Sequence, residues 1–376
     1  MKMHEVTIWR GLIALAWVFS FSIRTVVAQG SLTPPGPPGP LMKTLDQIEP
    51  RTPISSAPFT ITRSGSYYLT TNVSVGAGNA ITINTNGVTL DLRGFTISST
   101  NPSATGYGIL VNGSWRNITI LNGFIEGGVV KSGGVYSGPG FGGGIFCQTD
   151  IIDPENIRID GISVMGCRLS GIDIGIGNST VVESCTVRTA GGDGIFAATV
   201  RGSGASDCGG FAIYGNQVSD CWGDGTYGVS GNAVQNCVGT CTSGAGIFGR
   251  VVQNCVGYTY ANGTGVSGYL CDNCHGFSQS GDGVYSQSVA MNSWGESGGA
   301  GRGLYAERSA QNCYGLNDGS GPGLVTAIAN NCSGKSATGV GLTFSKIGAM
   351  CFGERTTPPA SNQVLGGGAA GPMNLP

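Results

Sequence analysis

The clearest pattern of apolar and polar positions along this chain is strict alternation. Asn79-Ala80-Ile81-Thr82-Ile83 and Val88-Thr89-Leu90-Asp91-Leu92 place an apolar residue at every second position, the period of a strand with one buried face. Farther on, regular markers punctuate the pattern. Gly-x-Gly-aliphatic begins at Gly244, Gly263, Gly281, Gly301, Gly321 and Gly339, with spacings of 19, 18, 20, 20 and 18 residues. A second marker follows in phase: Asn236-Cys237, Asn254-Cys255, Asn273-Cys274, Asn312-Cys313 and Asn331-Cys332, with Asn292-Ser293 and Met350-Cys351 as degenerate copies. A unit this short cannot bury an apolar face alone, so the copies must stack.

In one unit, Val234 and Cys237 are three residues apart, and both face inward only if the strand bends between them. Asn236 is suited to that bend, because asparagine tolerates the left-handed region. Stacking then predicts an amide ladder through Asn236, Asn254, Asn273, Asn292, Asn312 and Asn331. The expected fold is all-β, a single-stranded right-handed parallel β-helix of about 18–23 residues per coil, each coil stacked at roughly 4.8 Å. Cys167, Cys185 and Cys208 read as earlier copies of the Asn-Cys element with longer turns, and residues 59–75 as a cap on the open end.

The ends depart from this pattern. Residues 1–28 read as a secretory signal, with Lys2 and Arg10 ahead of a 13-residue apolar run too short to span a bilayer of about 30 Å. Residues 29–58 read as a proline-rich linker and 354–376 as a flexible tail around the 59–353 solenoid. The mature chain is therefore expected to be secreted or at the cell surface, with no transmembrane segment.

Composition narrows the function. Glycine makes up 68 of 376 residues, which disfavours helices, and only 11% of residues are charged. The formal net charge of −2 excludes a nucleic-acid partner held by phosphate contacts.

The segment Val88-Thr89-Leu90-Asp91-Leu92-Arg93-Gly94-Phe95-Thr96-Ile97 and the Asn-Cys repeats from 166 to 353 resemble the right-handed parallel β-helix proteins of the pectate-lyase-like superfamily. Residues 61–69 are similar to the entry segment of exported bacterial β-helix repeat proteins. The resemblance implies the fold. It leaves activity open, because that superfamily holds lyases, hydrolases, epimerases and non-catalytic surface proteins.

Thirteen cysteines at the repeat spacing read as an inward stack of mostly free thiols. Cys271-Asp272-Asn273-Cys274 has metal-ligand spacing, but Cys271 occupies the slot of Val234 and Val252, and no metal or cofactor is expected. Asp193, Asp224 and Asp282 fall in glycine-flanked slots, and Arg302 and Pro322 share the slot of Asp282, which marks a turn position. The catalytic candidates are Asp160, Asp173, Asp193 and Arg188, in irregular coils that also carry Asp150, Asp153 and Arg158.

Two outward rows suit stacking on sugar rings. One reads Phe196, Tyr214, Ser230, Phe248, Ser267, Tyr285, Tyr305 and Val325; the other reads Trp222, Val238, Val256, His275, Trp294, Tyr314, Ser333 and Phe352. Phe248, Tyr285, Tyr305, Trp222 and Trp294 are the candidate substrate-binding residues. The expected function is an exported non-catalytic β-helix repeat protein, with polysaccharide as its expected partner. The alternative is a polysaccharide lyase, glycoside hydrolase or epimerase.

Overall fold

The bend in each repeat is made by a left-handed residue. Asn236, Asn254, Asn273, Asn292, Asn312 and Asn331 all have φ between 48° and 54°, and Met350 has 51°. The computed structural model describes residues 50–148, 154–177, 179–357, 361–362 and 364–366. The signal segment, most of the linker, Asp150 and Asp153 lie outside the described residues.

The next residue explains why cysteine follows asparagine. The thiols of Cys221, Cys237, Cys255, Cys274, Cys313 and Cys332 each donate to the carbonyl two residues back, at 3.0–3.3 Å. Serine makes the same bond where it replaces cysteine: Ser203 to Arg201 at 2.8 Å and Ser293 to Met291 at 2.6 Å. The slot therefore selects a small buried side chain that donates its one proton to a carbonyl which also accepts a backbone N–H from the neighbouring coil, as Gln253 O does from Asn236 N–H at 3.1 Å.

Three sheets result. In one representative coil the first sheet takes residues 264–268 and the second takes 270–272, both within the strand Thr264–Asp272; the third takes His275–Ser278. Equivalent strands pair in parallel from coil to coil, as in Val266↔Val284, Cys271↔Ala290 and His275↔Trp294. The described chain is all-β and forms a parallel β-solenoid of about 16 turns, with about 19 residues per turn. Among the described residues no helix is long and apolar enough to cross a membrane.

The core is a set of inward columns. Ile81, Ile109, Ile145, Ile172, Ile195 and Ile213 stack on the first sheet and give way to Val229, Ile247, Val266, Val284, Leu304, Leu324 and Leu342, each at most 1% exposed. All thirteen cysteines are free and buried. Cys271 lies in the column Val252, Cys271, Ala290, as its place in the repeat requires. A polar column runs through the core as well: Thr259, Ser278, Ser297, Asn317 and Ser336 are fully buried in register. These side chains are satisfied by the glycine turns, as in Ser278 donating to Gly263 O at 2.7 Å and Ser336 to Gly321 O at 2.7 Å.

Three expectations are corrected. Residues 59–75 form a full coil, with Phe59↔Ile81, Gly65↔Val88 and Val73↔Ile97 in register, and Thr52–Ile54 already pairs beneath it. Cys167 and Cys208 do not share the column of Cys185. They belong to the far end of the third sheet through Cys167↔Ala190↔Cys208, whereas Cys185 stacks over Ile162 and under Ser203. At the C-terminal end, pairing continues past residue 353, through Phe352–Arg355 and Val364–Gly366.

The asparagine ladder forms with one irregularity. Asn254, Asn273, Asn312 and Asn331 donate from Nδ2 to the asparagine Oδ1 of the preceding coil at 2.9–3.1 Å, but Asn292 donates to Asp272 Oδ1 at 3.0 Å. Asn254→Ala is expected to cost about 1–2 kcal/mol, because alanine in the left-handed region is strained and the ladder loses a rung. Asn254→Gly should restore the backbone part of that loss in a denaturant titration, which separates strain from hydrogen bonding.

Candidate functional site

The four catalytic candidates do not converge. Asp160 stands on the second sheet in an exposed ion cluster: Arg158 Nη2 lies 3.3 Å from Asp160 Oδ2 and 2.6 Å from Glu183 Oε2, with Arg201 3.8 Å from Glu183. Asp173 is on the first sheet, in register between Phe146 and Phe196. Asp193 fills a glycine-flanked turn, where its Oδ1 accepts the Phe211 N–H at 2.8 Å. Burial pushes both carboxyls above the usual range, and the charge of Asp193 adds to the effect at Asp173. Arg188 projects from the third sheet. Asp173 and Asp193 are thus in electrostatic reach of each other, while Asp160 and Arg188 occupy other sheets.

The first outward row forms in the expected register and largely covers itself. Phe196 and Tyr214 stack at 5.1 Å, and Tyr285 and Tyr305 at 5.6 Å. Arg302 lies 3.7 Å from the Tyr305 ring centre and is held by Asp282 through Nε at 2.9 Å and Nη2 at 2.6 Å. Asp282 is thereby committed to a charge pair between turns. The Tyr285 hydroxyl donates to Glu307 at 2.7 Å, which pushes its pKa up to about 12. Phe248 differs: it is 52% exposed, between the buried Ser230 and Ser267.

Grooves lie along the third sheet. A groove of about 570 Å³ is lined by Ser163, Met165, Thr186, Arg188, Ser206, Asp207, Trp222 and Asp224, together with Val164 and Val187. Small residues make its floor, because Ser163, Thr186 and Gly204 precede Trp222 in one row. A side chain at Gly204 would collide with the indole, so the glycine lets Trp222 lean over the sheet. Beside it lies a hairpin that the repeat does not predict, Val130–Ser132 paired antiparallel with Val135–Ser137. Lys131 Nζ is 3.1 Å from Asp207 Oδ1, and the Tyr136 hydroxyl donates to the Asp207 carbonyl at 3.2 Å.

Asp224 is displaced from its expected role. It pairs with Thr240 on the third sheet and faces the groove, so its flanking glycines do not mark the turn slot of Asp193 and Asp282. Burial is the main cause raising its pKa, opposed by Lys131 and supported by Asp207.

A second stretch, of about 450 Å³, lies between the amide ladder and the second row, lined by Asn254, Asn273, Asn292, Val256, His275 and Trp294 with Cys255 and Cys274 behind. His275 stacks on Trp294 at 4.6 Å, and its buried Nε2 has no hydrogen-bond partner. Trp222 and Trp294 are 49% and 44% exposed, so an aromatic surface remains open in each stretch.

Compared with protein-family models, with curated proteins and with solved structures, the chain finds no match in any of the three.

Proposed function

We propose that this chain is an exported, non-catalytic β-solenoid of the cell surface or extracellular matrix that binds polysaccharide along its third sheet. The observation that carries this reading is the placement of two exposed tryptophans, Trp222 and Trp294, in two concave stretches of one sheet. An extended glycan offers apolar ring faces and peripheral hydroxyls. An indole beside serine, threonine and asparagine side chains matches both. The leader-like residues 1–28 support export, and the opening coil and Asn-Cys repeats support a place among right-handed parallel β-helices of the pectate-lyase-like type. The separation of Asp160, Asp173 and Arg188 onto three sheets favours binding over catalysis.

The test is affinity electrophoresis through gels containing neutral, acidic and amino glycans. Retardation is expected on at least one glycan, and Trp222→Ala with Trp294→Ala should weaken it roughly thirtyfold. Unretarded migration on every glycan, or equal retention of the double variant, would overturn the reading. Release of reducing or unsaturated ends from the same glycans would replace it with the enzymatic one.

A further inference from the structure

The groove beside Trp222 is unusually charged for this chain. Three of its ten lining residues, Arg188, Asp207 and Asp224, are charged, against 11% across the sequence. Asp207 is neutralised locally: Lys131 approaches Oδ1 at 3.1 Å, and the Thr189 hydroxyl donates to Oδ2 at 2.9 Å. Among the described residues, neither Arg188 nor Asp224 has an ion-pair or side-chain hydrogen-bond partner, although both face the same cavity.

Their separation follows from register. Arg188 pairs with Ser206, and the next strand runs from Ala205↔Gly223 to Cys208↔Gly225 with a register shift between, so Asp224 lies opposite the Ser206–Asp207 bulge, two coils beyond Arg188. At the usual strand spacing their backbones are roughly 10 Å apart, which leaves room for a ligand segment between the two side chains. Ser206 lies between them, and Trp222 is two residues before Asp224 on the same strand and the same face. The result is a fixed cation and a fixed anion at opposite ends of a polar floor, with an indole beside the anion.

We infer that the groove between Arg188 and Asp224 binds a zwitterionic glycan segment, with an acid group on Arg188 and an ammonium group on Asp224 and the Trp222 ring. This rests on the groove's being the glycan site proposed above. Charge complementarity selects this class. A purely anionic chain meets repulsion at Asp224, a purely cationic one meets it at Arg188, and a neutral one leaves Arg188 without a counter-charge and Asp224 with only the influence of Lys131, which is already paired with Asp207. Arginine is suited to a planar carboxylate or a phosphate, and an aromatic face beside a carboxylate is suited to an ammonium.

Four matched probes test it by calorimetry at low ionic strength, at a pH where amines are protonated and carboxylates ionised. They are oligomers of carboxymethylated glucosamine, the same oligomers N-acetylated, plain glucosamine oligomers and N-acetylglucosamine oligomers. The zwitterionic probe should bind roughly tenfold more tightly than the neutral one. Asp224→Asn should weaken only the ammonium-bearing probes, and Arg188→Gln only the carboxylate-bearing probes, each roughly fivefold. Equal affinity for all four probes, sensitive to Trp222→Ala but not to the charge variants, would overturn the zwitterion assignment and leave glycan binding intact. An effect of one charge variant without the other would also overturn it. Absence of binding by all four probes would remove the assignment, and failure on the wider glycan panel would remove the function with it.

Discussion

Gly276→Ala is expected to destabilise the solenoid by roughly 3 kcal/mol or more, at or beyond the upper end of ordinary overpacking. A methyl group there would overlap the carbonyl oxygen of Gly283, which is backbone on the opposite wall of the coil. Backbone can give way only by widening the coil. The same collision recurs between Gly257 and Gly265, Gly295 and Gly303, Gly315 and Gly323, and Gly334 and Gly341. The glycine two residues after each cysteine position and the second glycine of each Gly-x-Gly are therefore one device, which holds the third sheet against the start of the first. Widening one coil would break register with both neighbours, so the damage should spread as lost hydrogen-exchange protection in adjoining coils. Gly76→Ala is the control: nothing lies within 4 Å of its added methyl. A denaturation midpoint for Gly276→Ala matching that of Gly76→Ala would show that the coil is wider than described.

The second large effect concerns the thiols. All thirteen are free and buried, so the native protein should react with a thiol reagent at least about a hundredfold more slowly than the denatured chain, which should then titrate thirteen thiols. Two factors act together. Burial denies the reagent access, and it disfavours the reactive thiolate, raising Cys167 and Cys208 to about 12 and Cys185 to about 11. Rapid labelling of the native state would contradict the packing. Fewer than thirteen thiols in denaturant would show that some pair as disulfides under oxidising conditions.

The candidate site was only partly legible in the sequence. Trp222 and Trp294 were found through the repeat, because the residue after each cysteine position must face outward once the bend turns the strand. Asp224 was misassigned. Gly223-Asp224-Gly225 reads like the turn at Asp193, and only the pairing with Thr240 places it on the third sheet. Lys131 and Tyr136 were missed altogether, since their hairpin breaks the repeat and lands on Asp207, 71 residues from Tyr136. The buried polar column from Thr259 to Ser336 was missed for a related reason: polar residues at inward positions look like turn residues until their acceptors, glycine carbonyls of the turns, are seen.

By itself the sequence determined the coil length, the left-handed bend at each asparagine, the inward columns and the outward rows. Each follows from local stereochemistry repeated at near-constant spacing, and neighbours in a solenoid are residues one repeat apart. The tertiary structure alone decided where grooves open along the third sheet, which charges line them and which are neutralised. Those outcomes depend on how variable turns shift the coils and on where the inserted hairpin docks, contacts between distant residues that no local period encodes.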